Sequence, residues 1–216
     1  MSLYQVHILL NLSVLLAAAA VIWRIRFIPA YLYPFCMLLW IAAFNELLSL
    51  YLIADGMHNA VNGNIYILIE FFLLSRQFFN WGSLTKSKYL VLIITGILTW
   101  VADNFLFSYI SSNNSLSRII FAFLFVFLSV DMINRHIVFG KERPYTASTL
   151  YITIGLLLFF ACKAYVEVFN AFNLGFSTAF YANIWFTLSV VNAVANIVYT
   201  TAMLCIPRKQ EFLLPL

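Results

Sequence analysis

The amino-acid sequence predicts an all-α polytopic membrane protein of seven transmembrane helices, N-terminus outside and C-terminus cytoplasmic, on three observations. Of its 216 residues 64% are hydrophobic and 9% charged, with a mean hydropathy of +0.95. A soluble domain carries about 25% charged residues, so a water-soluble globule is excluded. Seven apolar windows, each close to the 20 or so residues that cross hydrocarbon, then fill nearly the whole chain and make residues 1–216 one transmembrane domain. Finally, nine of the twelve Lys and Arg residues fall on alternate connections: Arg24, Arg26, Lys86, Lys88, Arg135, Lys141, Arg143, Arg208 and Lys209. Basic loop residues are retained on the cytoplasmic side, and the opposite connections near 55–63, 111–115 and 171–178 hold none.

The first window, roughly 3–23, ends in the run Ala17 to Ala20 like a secretory signal. Its leading residues lack positive charge and its basic pair follows the apolar stretch, so it reads as a retained helix. His7 and Asn11 share one face. The second window, roughly 31–54, clusters Asn45, Glu46 and Ser49, and the third, roughly 64–81, lines up Tyr66, Glu70 and Gln77. Arg76 is expected to snorkel, and Tyr31, Trp81 and Tyr89 to form an interfacial belt. In the fourth window, roughly 89–110, Thr95, Thr99 and Asp103 make a stripe. The fifth, roughly 116–134, opens near Arg118 and closes on Asp131 and Arg135, spaced as a solvated structural pair. The sixth, roughly 147–170, carries Lys163 and Glu167 one turn apart, which suggests a pair within the helix. In the seventh, roughly 179–205, Trp185, Ser189, Asn192, Asn196 and Tyr199 recur at helical steps. Lipid cannot satisfy these polar groups, so the stripes are expected to face inward.

The ionisable residues point to function, because charges within hydrocarbon cost several kcal/mol and mark sites. Glu46, Glu70, Asp103, Lys163 and Glu167 all lie in the outer halves of their windows, with Arg118 and His7 nearer the outer surface. Four carboxylates against two cations leave a formal surplus of two negative charges, which demands protonation, a charged His7 or a bound cation. The competing structural reading is a neutralised network that holds helices together.

Other chemistries are disfavoured. The three cysteines are odd in number and lie within or at the edge of windows, so they read as packing residues rather than a disulfide framework. No metal set, cofactor motif, Ser-His-Asp spacing or Gly-rich phosphate loop is present. The net charge of +4 is accounted for by cytoplasmic loops, so no nucleic-acid partner is implied. Asn113-Asn114-Ser115 forms a glycosylation triplet in an outside connection. The ten or so residues after Ile206 are too short for an output module.

The topology invites comparison with rhodopsins, but the intramembrane lysine lies in the sixth window and not the seventh. Seven-helix zinc hydrolases need several histidine ligands, while His58 and His136 fall in loops on opposite sides. The length is similar to that of small sugar transporters built as three helices, a linker helix and three more. Gly63-Asn64-Ile65-Tyr66 echoes Ala182-Asn183-Ile184-Trp185, yet the Pro-Gln dipeptides of that family are absent. No family is assigned on these grounds.

The leading expectation is a non-catalytic protein of the cell or cytoplasmic (inner) membrane, with an outward-facing polar cavity that binds a small ligand or cation. Its role would be receptor-like or sensory, acting through a membrane or cytoplasmic partner protein. Expected site residues are Glu46, Glu70, Asp103, Lys163, Glu167, Arg118, Tyr66, His7 and Trp185. The alternative is a small, proton-coupled transporter using an inner polar path through Asn192, Asn196 and Gln77. Third comes an intramembrane lipid-processing enzyme with a carboxylate base.

Overall fold

The computed structural model describes residues 3–139, 147–172 and 175–207. Lys141, Arg143, Arg208, Lys209 and the stretch after Pro207 lie outside the described residues. Among those described, every regular element is helical: α1 (Leu3–Asn11), α2 (Val14–Arg24), α3 (Tyr33–Ala54), α4 (Ala60–Asn80), α5 (Lys86–Val101), α6 (Leu116–Phe139), α7 (Ala147–Phe172) and α8 (Thr178–Leu204). Six stretches are long and apolar enough to cross a membrane: Gln5–Phe27, Ala30–Ala54, Lys86–Leu106, Leu116–Val138, Ala147–Phe172 and Thr178–Leu204. Helix α4 has 21 residues, but Asn62, Asn64, Glu70, Arg76 and Gln77 interrupt its apolar run. Much of that polar material is buried, since Asn64, Glu70, Ser75 and Gln77 all face the protein.

The first apolar stretch is broken where a continuous helix was expected. Leu12 and Ser13 form a turn, with Ser13 N bonding to Leu10 O at 3.2 Å, between α1 and α2. The break falls against α8, whose Asn196 Nδ2 donates to Ser13 Oγ at 2.9 Å. Interrupted helices persist in membranes where neighbouring groups re-satisfy the backbone and side chains around the gap. Below it, α2 and α8 approach closely through fully buried Ala17, Ala195 and Ala202, the small-residue packing that replaces hydrophobic association in lipid.

Phenylalanines fill the centre. Phe71 stacks on Phe121 with centroids 4.2 Å apart, and Phe125 meets Phe160 at 5.0 Å. The Phe71 ring reaches α5 only because residue 96 is glycine, where a Cβ would fall 2.1 Å from the ring. Outward, every apolar stretch exposes large hydrophobics such as Leu16, Phe44, Leu98, Phe127, Leu158 and Ile197. A lipid bilayer is the solvent that suits such a surface.

Two ends are distinguishable. One gathers the connections 55–59 and 107–115 with the end of α7: Asn64 Nδ2 donates to Ile110 O and Ser112 O, and Asn170 Nδ2 to Ser115 Oγ. The other gathers the segment before α3, residues 81–85 and Ile206. There Gln77 accepts from Phe35 N at 3.0 Å and donates to Tyr31 O at 2.8 Å, while the buried Arg24 donates to Ile206 O. Arg24, Arg26, Lys86, Lys88 and Arg135 all belong to this second, basic end.

Several expectations are corrected. Thr95 faces outward, because its hydroxyl satisfies itself on Val91 O at 2.9 Å and needs no interior partner. Trp81 is buried against Phe78 rather than placed in a belt. Cys205 is exposed at the end of α8, whereas Cys36 is buried as a packing residue would be. Arg76 is exposed over the Phe79 ring, 5.1 Å from its centroid.

Candidate functional site

At the first end, polar side chains from α1, α3, α4, α6, α7 and α8 converge. Lys163 Nζ on α7 bonds Glu70 Oε2 on α4 at 2.7 Å, both buried, and its ammonium lies 5.3 Å from the centroids of Phe159 and Phe160. Tyr66 stands one turn before Glu70 on the same helix. The expected pairing of Lys163 with Glu167 does not occur, since α4 offers a carboxylate across the interface and Glu167 is taken elsewhere.

Glu167 accepts from Ser115 Oγ at 2.9 Å and pairs with Arg118 Nη1 at 3.5 Å. Arg118 Nη2 donates to Asn64 Oδ1 at 3.0 Å, and Asn64 is itself fixed by Trp100 Nε1 on its carbonyl at 2.8 Å. Glycine at 63 leaves space for this guanidinium, since a Cβ there would lie 3.2 Å from Nη2.

Asp103 departs from its expected place. It sits in a π-helical turn, Ala102–Leu106, that continues α5. Its Oδ2 accepts from Ser117 N, at the start of α6, at 2.7 Å. A carboxylate at a helix N-terminus satisfies an orphan donor and the positive end of the dipole. Asp103 therefore works as a cap and lines none of the cavities described below.

These partners resolve the surplus inferred from the sequence. Glu70 and Glu167 each have a cation, Asp103 has a helix terminus, and Glu46 has neither an ion pair nor a hydrogen bond among the described residues. Of the formal surplus of two, one charge falls on Asp103, held at a helix terminus, and the other on Glu46, which has no such partner. The side-chain oxygen of the preceding residue, Asn45, is also buried without a partner.

Both residues face a void. A cavity of about 310 Å³ is lined by His7, Glu46, Tyr66, Lys163, Glu167 and Trp185, among others, and by Arg118 at one side. It shares a wall of Asn45, Glu46, Tyr66, Phe159 and Lys163 with a deeper cavity of about 120 Å³. The deeper cavity reaches Asn192 and Asn196 and is floored by Phe35, Leu39, Leu74, Leu156 and Tyr199. Toward the loops, Asn59, Gly63 and Arg118 are shared with a third cavity of about 360 Å³. The three lie in series from the loop end inward.

A hydrogen-bonded line of side chains forms the α1/α8 wall. Trp185 O accepts from Ser189 Oγ at 3.2 Å, and Ser189 meets His7 Nδ1 at 2.7 Å. His7 Nε2 meets Asn11 at 3.2 Å, and Asn11 Oδ1 accepts from Asn192 at 3.4 Å. Gln77, expected on an inner path, is fully buried and engaged at the start of α3, so it does not extend the voids.

The structure thus gathers His7, Glu46, Tyr66, Glu70, Arg118, Lys163, Glu167 and Trp185 around linked voids and leaves Asp103 and Gln77 outside them. Sequence reading passed over Asn45 as a site residue, and it overlooked Phe159 and the anchoring role of Asn64. Only the proximity of Asn45 to Glu46 hinted at a role. No group of three or more His, Cys, Asp or Glu suited to a metal ion occurs among the described residues. No protein-family model, curated protein or solved structure matches this chain.

Proposed function

We propose that this chain is a seven-span receptor-like or sensory membrane protein that binds a small organic cation in its linked cavities. In this reading α4 is the remaining span, and the basic end is cytoplasmic by the rule that retains positive loops inside. The cavities then open outward. The supporting observation is Glu46, a carboxylate without a counter-cation on the wall shared by two voids. A lone carboxylate in a low-dielectric site takes up a proton or a cation. Asn45 supplies an unspent acceptor beside it, and Tyr66, Phe159 and Trp185 supply aromatic surface that attracts ammonium groups. A volume of about 310 Å³ is at the small end of the 300–1,000 Å³ or so typical of ligand pockets. These features favour an organic ammonium over a bare metal ion.

Thermal unfolding of the detergent-purified protein at fixed ionic strength tests this, with ethanolamine, choline and sodium as probes. An organic ammonium at about 100 times its Kd adds about 2.7 kcal/mol of stability. Glu46→Gln is expected to fold with stability within about 0.5 kcal/mol of wild type, because no ion pair is broken, and to lose that ligand shift. Equal shifts in both proteins, or none with any cation, would refute the proposal.

A transporter is the second reading, favoured by the break between α1 and α2 beside Asn196, since discontinuous helices line many transport sites. It requires the floor at Phe35, Leu74 and Tyr199 to open toward the basic end. Uptake of labelled ethanolamine into proteoliposomes would distinguish it from pure binding.

A further inference from the structure

We infer that the ligand is a zwitterion whose ammonium lies at Glu46 and whose oxyanion, a carboxylate or phosphate, lies at Arg118 in the mouth. The inference rests on the cation-binding reading above and adds a second subsite with its own observations. A guanidinium has five N–H donors, and Arg118 spends two, on Asn64 and Glu167. Its Nε is buried with no partner, a state that costs free energy unless the group is needed for something else. Arg118 also stands in the first turn of α6, where the helix dipole opposes a cation and favours an anion. Its position therefore gains the helix nothing, whereas guanidinium and dipole together attract an oxyanion.

The void outside Arg118 has the matching character. It is lined by His58, Asn59, Ser111 and Asn113 with Gly63 and Ala60, and it contains no carboxylate. Glu167 lines the central cavity but not this mouth. An anion entering from the loops therefore meets Arg118 before its acidic partner. One void inward, the unpaired charge is negative, at Glu46. The polarity runs positive at the mouth to negative inside, which orients a zwitterion with its ammonium leading. A free solute and a phospholipid headgroup share this chemistry.

Calorimetric titration in phospholipid-free detergent compares ethanolamine, phosphoethanolamine and inorganic phosphate. Wild type is expected to bind phosphoethanolamine at least about tenfold more tightly than ethanolamine, the scale of one charge-assisted hydrogen bond. In Arg118→Gln/Glu167→Gln, which removes the ion pair as a unit, that ratio is expected to fall to about one. Gly63→Ala presses on the guanidinium without removing a charge and is expected to lower the ratio part-way, which keeps the test open if the double variant misfolds. Equal affinities in wild type, or an undiminished ratio in both variants, overturn the zwitterion alone. Failure of wild type to bind ethanolamine, or unaltered ethanolamine affinity in Glu46→Gln, overturns the cation reading and the zwitterion with it. Competition by phosphatidylethanolamine nanodiscs against free phosphoethanolamine then assigns the source: displacement marks a headgroup site, and its absence a site for free solute.

Discussion

The two ends of the bundle use similar residues for opposite purposes. At the basic end, Asp131 and Arg135 pair at 2.7 Å one turn apart on a single helix, with 43% and 34% of their side chains in solvent. At the mouth end, Lys163–Glu70 and Arg118–Glu167 join different helices with their carboxylates almost fully buried. The basic end is otherwise packed by Phe78, Trp81 and Met132, and the groove beside Ile25, Ile28 and Tyr33 is lined by apolar side chains and holds no charged group. The mouth end keeps voids beside its charges. The difference teaches that ion pairs are told apart by burial, span and neighbouring space, and that bond length alone says little.

The largest effect is expected from splitting the most buried pair. Lys163→Met strands Glu70 and should destabilise the protein by about 3–5 kcal/mol, while adding Glu70→Met should restore most of the loss. Denaturant unfolding of the four proteins of this cycle measures the coupling, and additive losses would show that the pair acts as two independent groups. A smaller effect belongs to the packed centre, where Gly96→Ala should cost about 1–3 kcal/mol by overpacking Phe71. Phe71→Leu in the same background should recover part of it, and a neutral Gly96→Ala would mean that α4 and α5 are looser than described. The smallest is expected at the basic end: Asp131→Ala should cost no more than about 0.5 kcal/mol and lose even that in high salt. A loss as large as that of Lys163→Met would erase the contrast between the ends.

Much of the helix layout was legible in the sequence, since hydropathy and loop residues placed the elements within a few residues of where they lie. The polar stripes were less reliable. Thr95 matched the period of Asp103 but faces outward, because a threonine hydroxyl can bond the carbonyl one turn back. Asp103 shared the depth of Glu46 and Glu70, yet the π turn swings it onto the start of α6. Gln77 continued the line of Tyr66 and Glu70, but the bend before α3 brings Phe35 N and Tyr31 O to it. For Asp103 and Gln77 a backbone group from another segment captured the side chain, and periodicity along one helix carries no information about such partners. The break at Leu12–Ser13 was hidden for the same reason, since its support comes from Asn196 on the last helix.

Composition and residue order by themselves determined that this chain is helical, lipid-solvated and acid-rich toward one end, because those properties depend on counting apolar and charged groups along segments of membrane length. Which acid lost its neutraliser was decided only in three dimensions. Four carboxylates compete for two cations and one helix terminus, and the outcome turns on distances between helices far apart in sequence. That competition left Glu46 facing the void.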